Sequence, residues 1–203
     1  MTTEYTIWYT LCGDRMDNRE LIMKESLAAF ASKGFENIGV QEICESAGIT
    51  KPTLYHYFGS KNGLLQEIMA TYSVKLMKMA TEATAYAGDL PLTVNRTVRA
   101  YFRFAREHRD FYRMLLSLYF APPESDFARL SIEHMEKQYY LMENLFLKAS
   151  DDHGNMKNRQ VRLAVTFLGM INNYIGMWIN GYCELNEELV FSASHQFMHG
   201  IYS

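Results

Sequence analysis

The chain has 203 residues, 48% of them hydrophobic and 21% charged, with four prolines, a composition that supports one large core or two modest ones and excludes extended disorder. A net charge of −3 and a pI near 6.1 exclude a nucleic-acid partner recruited by bulk charge, so any such partner must be recognised by local geometry. Cys12, Cys44 and Cys183 are an odd, widely separated set without a CxxC pair or a basic, apolar leader, which points to a reducing cytoplasm.

Residues 1–16 show no helical period and are assigned to an N-terminal arm, with disorder, a short extended segment and leader residues all open for it. From Asp17, Met23, Leu27, Phe30 and Ala31 share one helical face, and Gly34 stops that first helix. Val40, Ile43, Cys44 and Ala47 repeat the pattern over two turns before Gly48. Thr50 then caps a third helix with Lys51 and Pro52 in its first turn, Leu54 and Phe58 turned inward, and Gly59 at its end. Ser60 caps a longer fourth helix that carries Leu64, Leu65, Ile68, Met69, Tyr72, Leu76 and Met79 and fades near Gly88.

The GDLP break at 88–91 divides the chain into residues 17–87 and 88–203. In the second part, Val94, Val98, Tyr101, Phe102 and Ala105 form an apolar face opposite Arg96, Arg99, Arg103 and Arg106, read as a solvated basic face. A short aromatic helix from Asp110 to Phe120 ends at Pro122 and Pro123. Helices follow over 126–150, 157–182 and from Asn186 onward. The apolar run from Leu163 to Ile179 is interrupted by Thr166, Asn172 and Asn173, so it reads as a buried helix and no membrane is implied. With no strand pattern, the fold class is all-α, about nine helices: an N-terminal three-helix helix-turn-helix domain with a connecting helix, and a C-terminal helical domain for ligand binding and dimerisation.

The segment from Val40 to Ile68 carries the functional signal. A tight helix-turn-helix presents its second helix as a rod that fits a major groove about 12 Å wide. Lys51 and Lys61 each follow a hydroxyl cap at the positive end of a helix, where a cation costs about 0.3–1 kcal/mol. Folding alone would not place them there, whereas a docked phosphate would reverse the penalty. Thr53, Tyr55, His56 and Tyr57 between them suit phosphate and base-edge contacts. The competing reading, at least as strong for Tyr57, is that the tyrosines cover a small core with their hydroxyls in water.

The run AGITKPTLYHYFGSKNGLL over 47–65, preceded by AFASKGFENIGV over 29–40, resembles the TetR family of transcription regulators, and QFMHGI near the C-terminus is similar to many family members. The specific match covers about residues 18–68. The resemblance implies that Thr50, Lys51, Thr53, Tyr55 and His56 face operator DNA, while Lys61 grips the backbone. Two departures stand out. Gly39 replaces a common Thr or Ser phosphate contact, and Gly63 replaces an acidic residue that would complete a capping box, which predicts a looser start to the fourth helix.

The resemblance also implies a repressor relieved by a small effector held in the second domain. Tyr101, Phe104, Tyr112, Met114, Tyr139, Met142, Phe167, Met170 and Tyr174 offer walls for an apolar or aromatic ligand, though such stripes also serve as plain core. Val165, Leu168, Ile175, Ala193, Phe197 and Ile201 are assigned to an isologous four-helix interface of a homodimer, with Gly169 and Gly176 permitting close approach. Asn172 and Asn173 need partners, in the pocket or, by preference, across that interface. His195 and His199 lack a completing ligand set, so no metal is expected; no catalytic constellation is present, and neither an enzyme nor a cofactor is indicated. Two alternatives stay open: a ligand-independent architectural DNA binder of the same fold, and a helical ligand-binding or assembly protein without DNA binding.

Overall fold

The computed structural model describes residues 18–200, so the expectations for residues 1–16 and for Ile201 fall outside the described residues. Among the described residues there are nine α-helices and no strand: α1 (Asn18–Lys33), α2 (Val40–Ala47), α3 (Lys51–Phe58), α4 (Lys61–Ala83), α5 (Leu90–Glu107), α6 (Arg109–Ser117), α7 (Asp126–Asp152), α8 (Gln160–Ile179) and α9 (Glu187–His199), with 3₁₀ turns at Leu118–Phe120 and Gly154–Met156. The all-α architecture is the expected one.

Local chemistry sets the helix starts. The Thr50 hydroxyl accepts from the Thr53 N–H at 3.4 Å and Ser60 from Gly63 at 2.9 Å; Asp89 accepts from Leu92 at 2.8 Å and Asn186 from Leu189 at 2.9 Å. Each satisfies an amide that the helix itself leaves without an acceptor. Gly48 closes α2 at φ +64°, letting the Ile49 N–H return to the Cys44 carbonyl at 2.9 Å, a backbone shape that L side chains resist.

Buried residues form one continuous cluster from Ile22 in α1 to Ala193 in α9. α1 packs on α2 and α6, α4 on α5 and α7, α7 on α8, and α5 on α9. Two helices of the C-terminal half therefore reach the helix-turn-helix unit: α6 through α1, and α7 through its own first turn.

The arginines of α5 are largely exposed, as their spacing suggested, with Arg96 half-buried, and three of them also reach acceptors on neighbouring elements. Arg96 donates to the Ala83 and Ala85 carbonyls at 2.9 and 2.5 Å, capping the C-terminal end of α4, where a cation is favoured. Arg99 forms a forked pair with Glu187 at the start of α9, and Arg106 donates to the Leu185 carbonyl. Arg109 donates to the Ile179 carbonyl at 2.8 Å and sits 5.5 Å over the Trp178 ring. Periodicity shows that the α5 side chains share a face, but not which acceptors they reach on neighbouring helices and loops.

Two half-buried imidazoles link this packing to pH. Burial, and then Lys75, lowers the pKa of His108, which lies edge-on to Tyr72 and Phe104; burial, and then Lys137, lowers that of His134. The unfolded chain takes up these protons near pH 6.5, while the folded chain does so only at lower pH, so stability present above 6.5 is lost as pH falls through the folded values. We expect the unfolding midpoint to drop between about pH 7 and pH 5. The double variant His108→Gln, His134→Gln should flatten that slope in a pH series of thermal melts; an unchanged slope would remove these groups as its cause.

Candidate nucleic-acid interface and the C-terminal half

The main anchor of α3 is Leu54. Leu54 is the buried side chain of this helix, Tyr57 and Phe58 are half-buried, and Thr50, Lys51, Tyr55 and His56 are exposed. Tyr55 is 47% exposed. The Thr50 and Thr53 hydroxyls stand 2.9 Å apart, leaving a hydroxyl pair at the helix start beside the Lys51 backbone. The Lys51 ammonium enters no hydrogen bond or ion pair among the described residues, and no acidic side chain lies in the first turn of α3. The outward face of this short helix thus combines an uncompensated cation, two hydroxyls, a phenol and an imidazole.

Lys61 does not join it. Its ammonium donates to the carbonyls of Phe35 and Ile38, both at 2.8 Å, and lies 4.2 Å from the centre of the Phe35 ring. Burial lowers its pKa, while Glu36 and Asp126 oppose that shift. The expectation that Lys61 grips the DNA backbone is therefore corrected. Folding does ask for a lysine here, because the α1–α2 loop directs two carbonyls at the start of α4. The same junction holds α7: Asn62 donates to Asp126 at 3.0 Å, the Phe127 N–H donates to Glu36 at 3.3 Å, and Phe35 stacks on Phe127 at 6.1 Å.

The two glycine departures resolve differently. Gly39 caps α2 without a side-chain hydrogen bond, as its missing side chain requires. At Gly63 an ideal Cβ would stand 2.1 Å from the Phe58 carbonyl oxygen, so the start of α4 is tight at this position, not loose.

The family description "Bacterial regulatory proteins, tetR family" matches residues 22–68, which run from α1 into α4. This segment of the chain is similar to that family. Among curated relatives, the chain is 28% identical over 176 residues to the HTH-type transcriptional regulator YerO of Bacillus subtilis (strain 168), covering 85% of the chain and 60% of YerO. Its fold is similar to that of the TetR-family regulator PfmR from Thermus thermophilus, with a TM-score of 0.71 at 24% identity over 90% of this chain and 99% of PfmR. It is also similar to that of FadR from Bacillus subtilis, solved with stearoyl-CoA, with a TM-score of 0.74 at 14% identity over 90% and 98%.

Most of the residues that the TetR resemblance offered as pocket walls are packed core. Tyr101, Phe104, Tyr112, Met142 and Phe167 are buried, and Phe167 packs against Phe146 and Phe197 at 5.7 and 4.7 Å. Only Met170 and Tyr174 line the large open groove, about 860 Å³, between α8 and α9, which Arg159, Arg162, Met177 and Phe197 also border. That groove lies where the dimer interface was expected.

The interface residues also need correction. Leu168, Ile175 and Ala193 are buried within the protomer, whereas Val165 is 51% exposed. Val161 and Val165 are exposed while Leu168 and Ile175 are buried, because which part of the broad apolar stripe is covered depends on the neighbouring helices. Met177 and Phe191 extend the outward apolar surface of α8 and α9, and no periodicity count singled them out for it. Asn172 is likewise satisfied inside the protomer: it accepts from the Tyr112 hydroxyl and donates to the Tyr119 oxygen, each at 2.7 Å. This overturns the preferred placement of Asn172 across a dimer interface. Asn173 is exposed and lines the groove.

Proposed function

We propose that this chain is a cytoplasmic, sequence-specific DNA-binding transcription regulator, a repressor relieved by a small apolar or aromatic effector bound in residues 88–203, and that it works as a homodimer. The supporting observation is the start of α3, where Lys51 is free of acidic partners beside the Thr50 and Thr53 hydroxyls and the exposed Tyr55 and His56. The Lys51 backbone amide, the hydroxyls and an ammonium together suit a phosphate, and the neighbouring aromatic side chains suit base edges. Two copies joined through the outward faces of α8 and α9 would present two such helices to a near-palindrome. The stearoyl-CoA carried by FadR makes acyl thioesters sensible first effector probes.

Operator selection with the purified protein, followed by fluorescence anisotropy across a salt series, tests this reading. Lys51→Ala is expected to weaken binding uniformly across operator variants and to reduce the salt slope by about one unit. An unchanged slope would remove Lys51 from the interface, and failure of the unaltered chain to select any sequence would remove the regulator reading. Effector and operator affinities must be reciprocally coupled, so titrations of DNA-bound and free protein should differ by the same factor in both directions.

A further inference from the structure

The helix-turn-helix unit sits at the end of α4 and is braced against the C-terminal half by two helices, which hold it in different ways. α6 packs along α1. The first turn of α7 instead meets the α1–α2 loop and the start of α4 through directed bonds. The Phe127 N–H donates to Glu36 Oε1 at 3.3 Å, Asn62 Nδ2 donates to Asp126 Oδ2 at 3.0 Å, and the buried rings of Phe35 and Phe127 stack at 6.1 Å. The bonded partners lie 91 and 64 residues apart in the chain.

The chemistry is that of a helix cap supplied from another part of the fold. A helix leaves its first amides without acceptors, and its N-terminal end favours an anion. In α7 the Ser125 hydroxyl takes the Ala128 N–H at 3.1 Å, while the Glu36 carboxylate takes that of Phe127. Phe35 carries the contact inward: it lies edge-on to Phe30 of α1 at 5.0 Å and holds the Lys61 ammonium over its ring. Asn62 is in the first turn of α4, directly after α3. On the far side the brace is itself fixed. The segment that leads into α7 contains Pro122 and Pro123, whose φ is locked, and Tyr119 within it is bonded to Asn172 and Tyr139.

A single packed contact leaves the unit free to swing about it, and a second, directed contact removes that freedom. We infer that Glu36, Asn62 and Asp126 are positioning residues that fix the direction of α3 relative to the C-terminal half, and so set the half-site spacing that a dimer accepts in its operator. They act through Phe35, Lys61 and the first turn of α4, without touching DNA. This rests on reading the chain as a homodimeric DNA-binding regulator. Successive base pairs are about 3.4 Å apart along the duplex, so half-sites moved by one base pair demand a displacement that a braced α3 resists and a released one accepts.

The test is fluorescence anisotropy of the full chain on its selected operator and on two versions with the half-sites moved one base pair apart and one base pair closer. The unaltered chain is expected to favour the selected spacing. Glu36→Ala with Asn62→Ala should reduce that preference by about five- to tenfold, less than two full hydrogen bonds because both are partly solvated. Glu36→Ala alone should lose part of the preference, and Glu36→Gln, which keeps an acceptor for the Phe127 N–H, should retain it. Glu36 is exposed and Asn62 half-buried, and Phe35, Leu54 and Lys61 stay in place, so the urea midpoints should move little. A double variant with its spacing preference intact, or one that loses affinity for all three operators by the same factor, would overturn the inference. So would a Glu36→Gln protein that behaves like Glu36→Ala, or an unaltered chain that binds all three spacings equally. An unaltered chain that selects no sequence would instead strike the regulator reading, and one that selects a single half-site would strike the dimer.

Discussion

Leu54→Ala should release α3 from its support and abolish operator binding. Leu54 is the one fully buried side chain of this eight-residue helix, and the half-buried Tyr57 and Phe58 are its lesser anchors, so its truncation removes the main hold. Large-to-small substitutions of buried leucine cost about 2–5 kcal/mol, a large part of the roughly 5–15 kcal/mol that holds an ordinary domain together. Urea titration followed by circular dichroism measures the loss, and anisotropy measures the DNA consequence. The companion variant Tyr55→Ala separates the two, because its side chain is exposed: stability should stay within about 0.5 kcal/mol while operator affinity falls. A Leu54→Ala protein as stable as its parent would mean that α3 is held by something other than this contact.

Lys61→Met keeps most of the aliphatic stem over Phe35 but deletes the ammonium that serves the Phe35 and Ile38 carbonyls. A hydrogen bond from a charged donor contributes about 1.5–3 kcal/mol when well buried. Lys61 is only partly buried, and water screens the exposed part, so a total loss of about 2 kcal/mol is expected for the pair. The informative comparison is with Lys51→Ala: Lys61→Met should lower the urea midpoint without altering the salt slope of DNA binding, and Lys51→Ala should do the reverse. A Lys61→Met protein with unchanged stability and a slope reduced by about one would return this lysine to the phosphate backbone.

What could be seen in the sequence was local. Thr50, Ser60, Gly34 and Gly48 mark helix ends because a cap acts within three or four residues of itself, and the inward pair Leu54 and Phe58 follows from a single turn of spacing. The destination of Lys61 was hidden, since its acceptors lie 26 and 23 residues upstream and are backbone atoms that any sequence could supply. The acceptors of the α5 arginines were hidden for the same reason. On α8 the error was one of angle: the apolar residues were recognised, but which edge of a broad stripe faces outward depends on where α7 and α9 lie. Asn172 had to find a partner, and only the tertiary arrangement could choose Tyr112 and Tyr119 over a second subunit.

The fastenings at the two ends of α4 have a mechanical corollary. Lys61 ties its first turn to the loop behind α1, and Arg96 ties its last carbonyls to α5. A rod clamped at both ends transmits displacement faithfully and absorbs little of it by fraying. A change in the tilt of α5 is thereby passed along α4 toward α3, and in the proposed dimer the spacing between the two copies of α3 would report how α5 is seated.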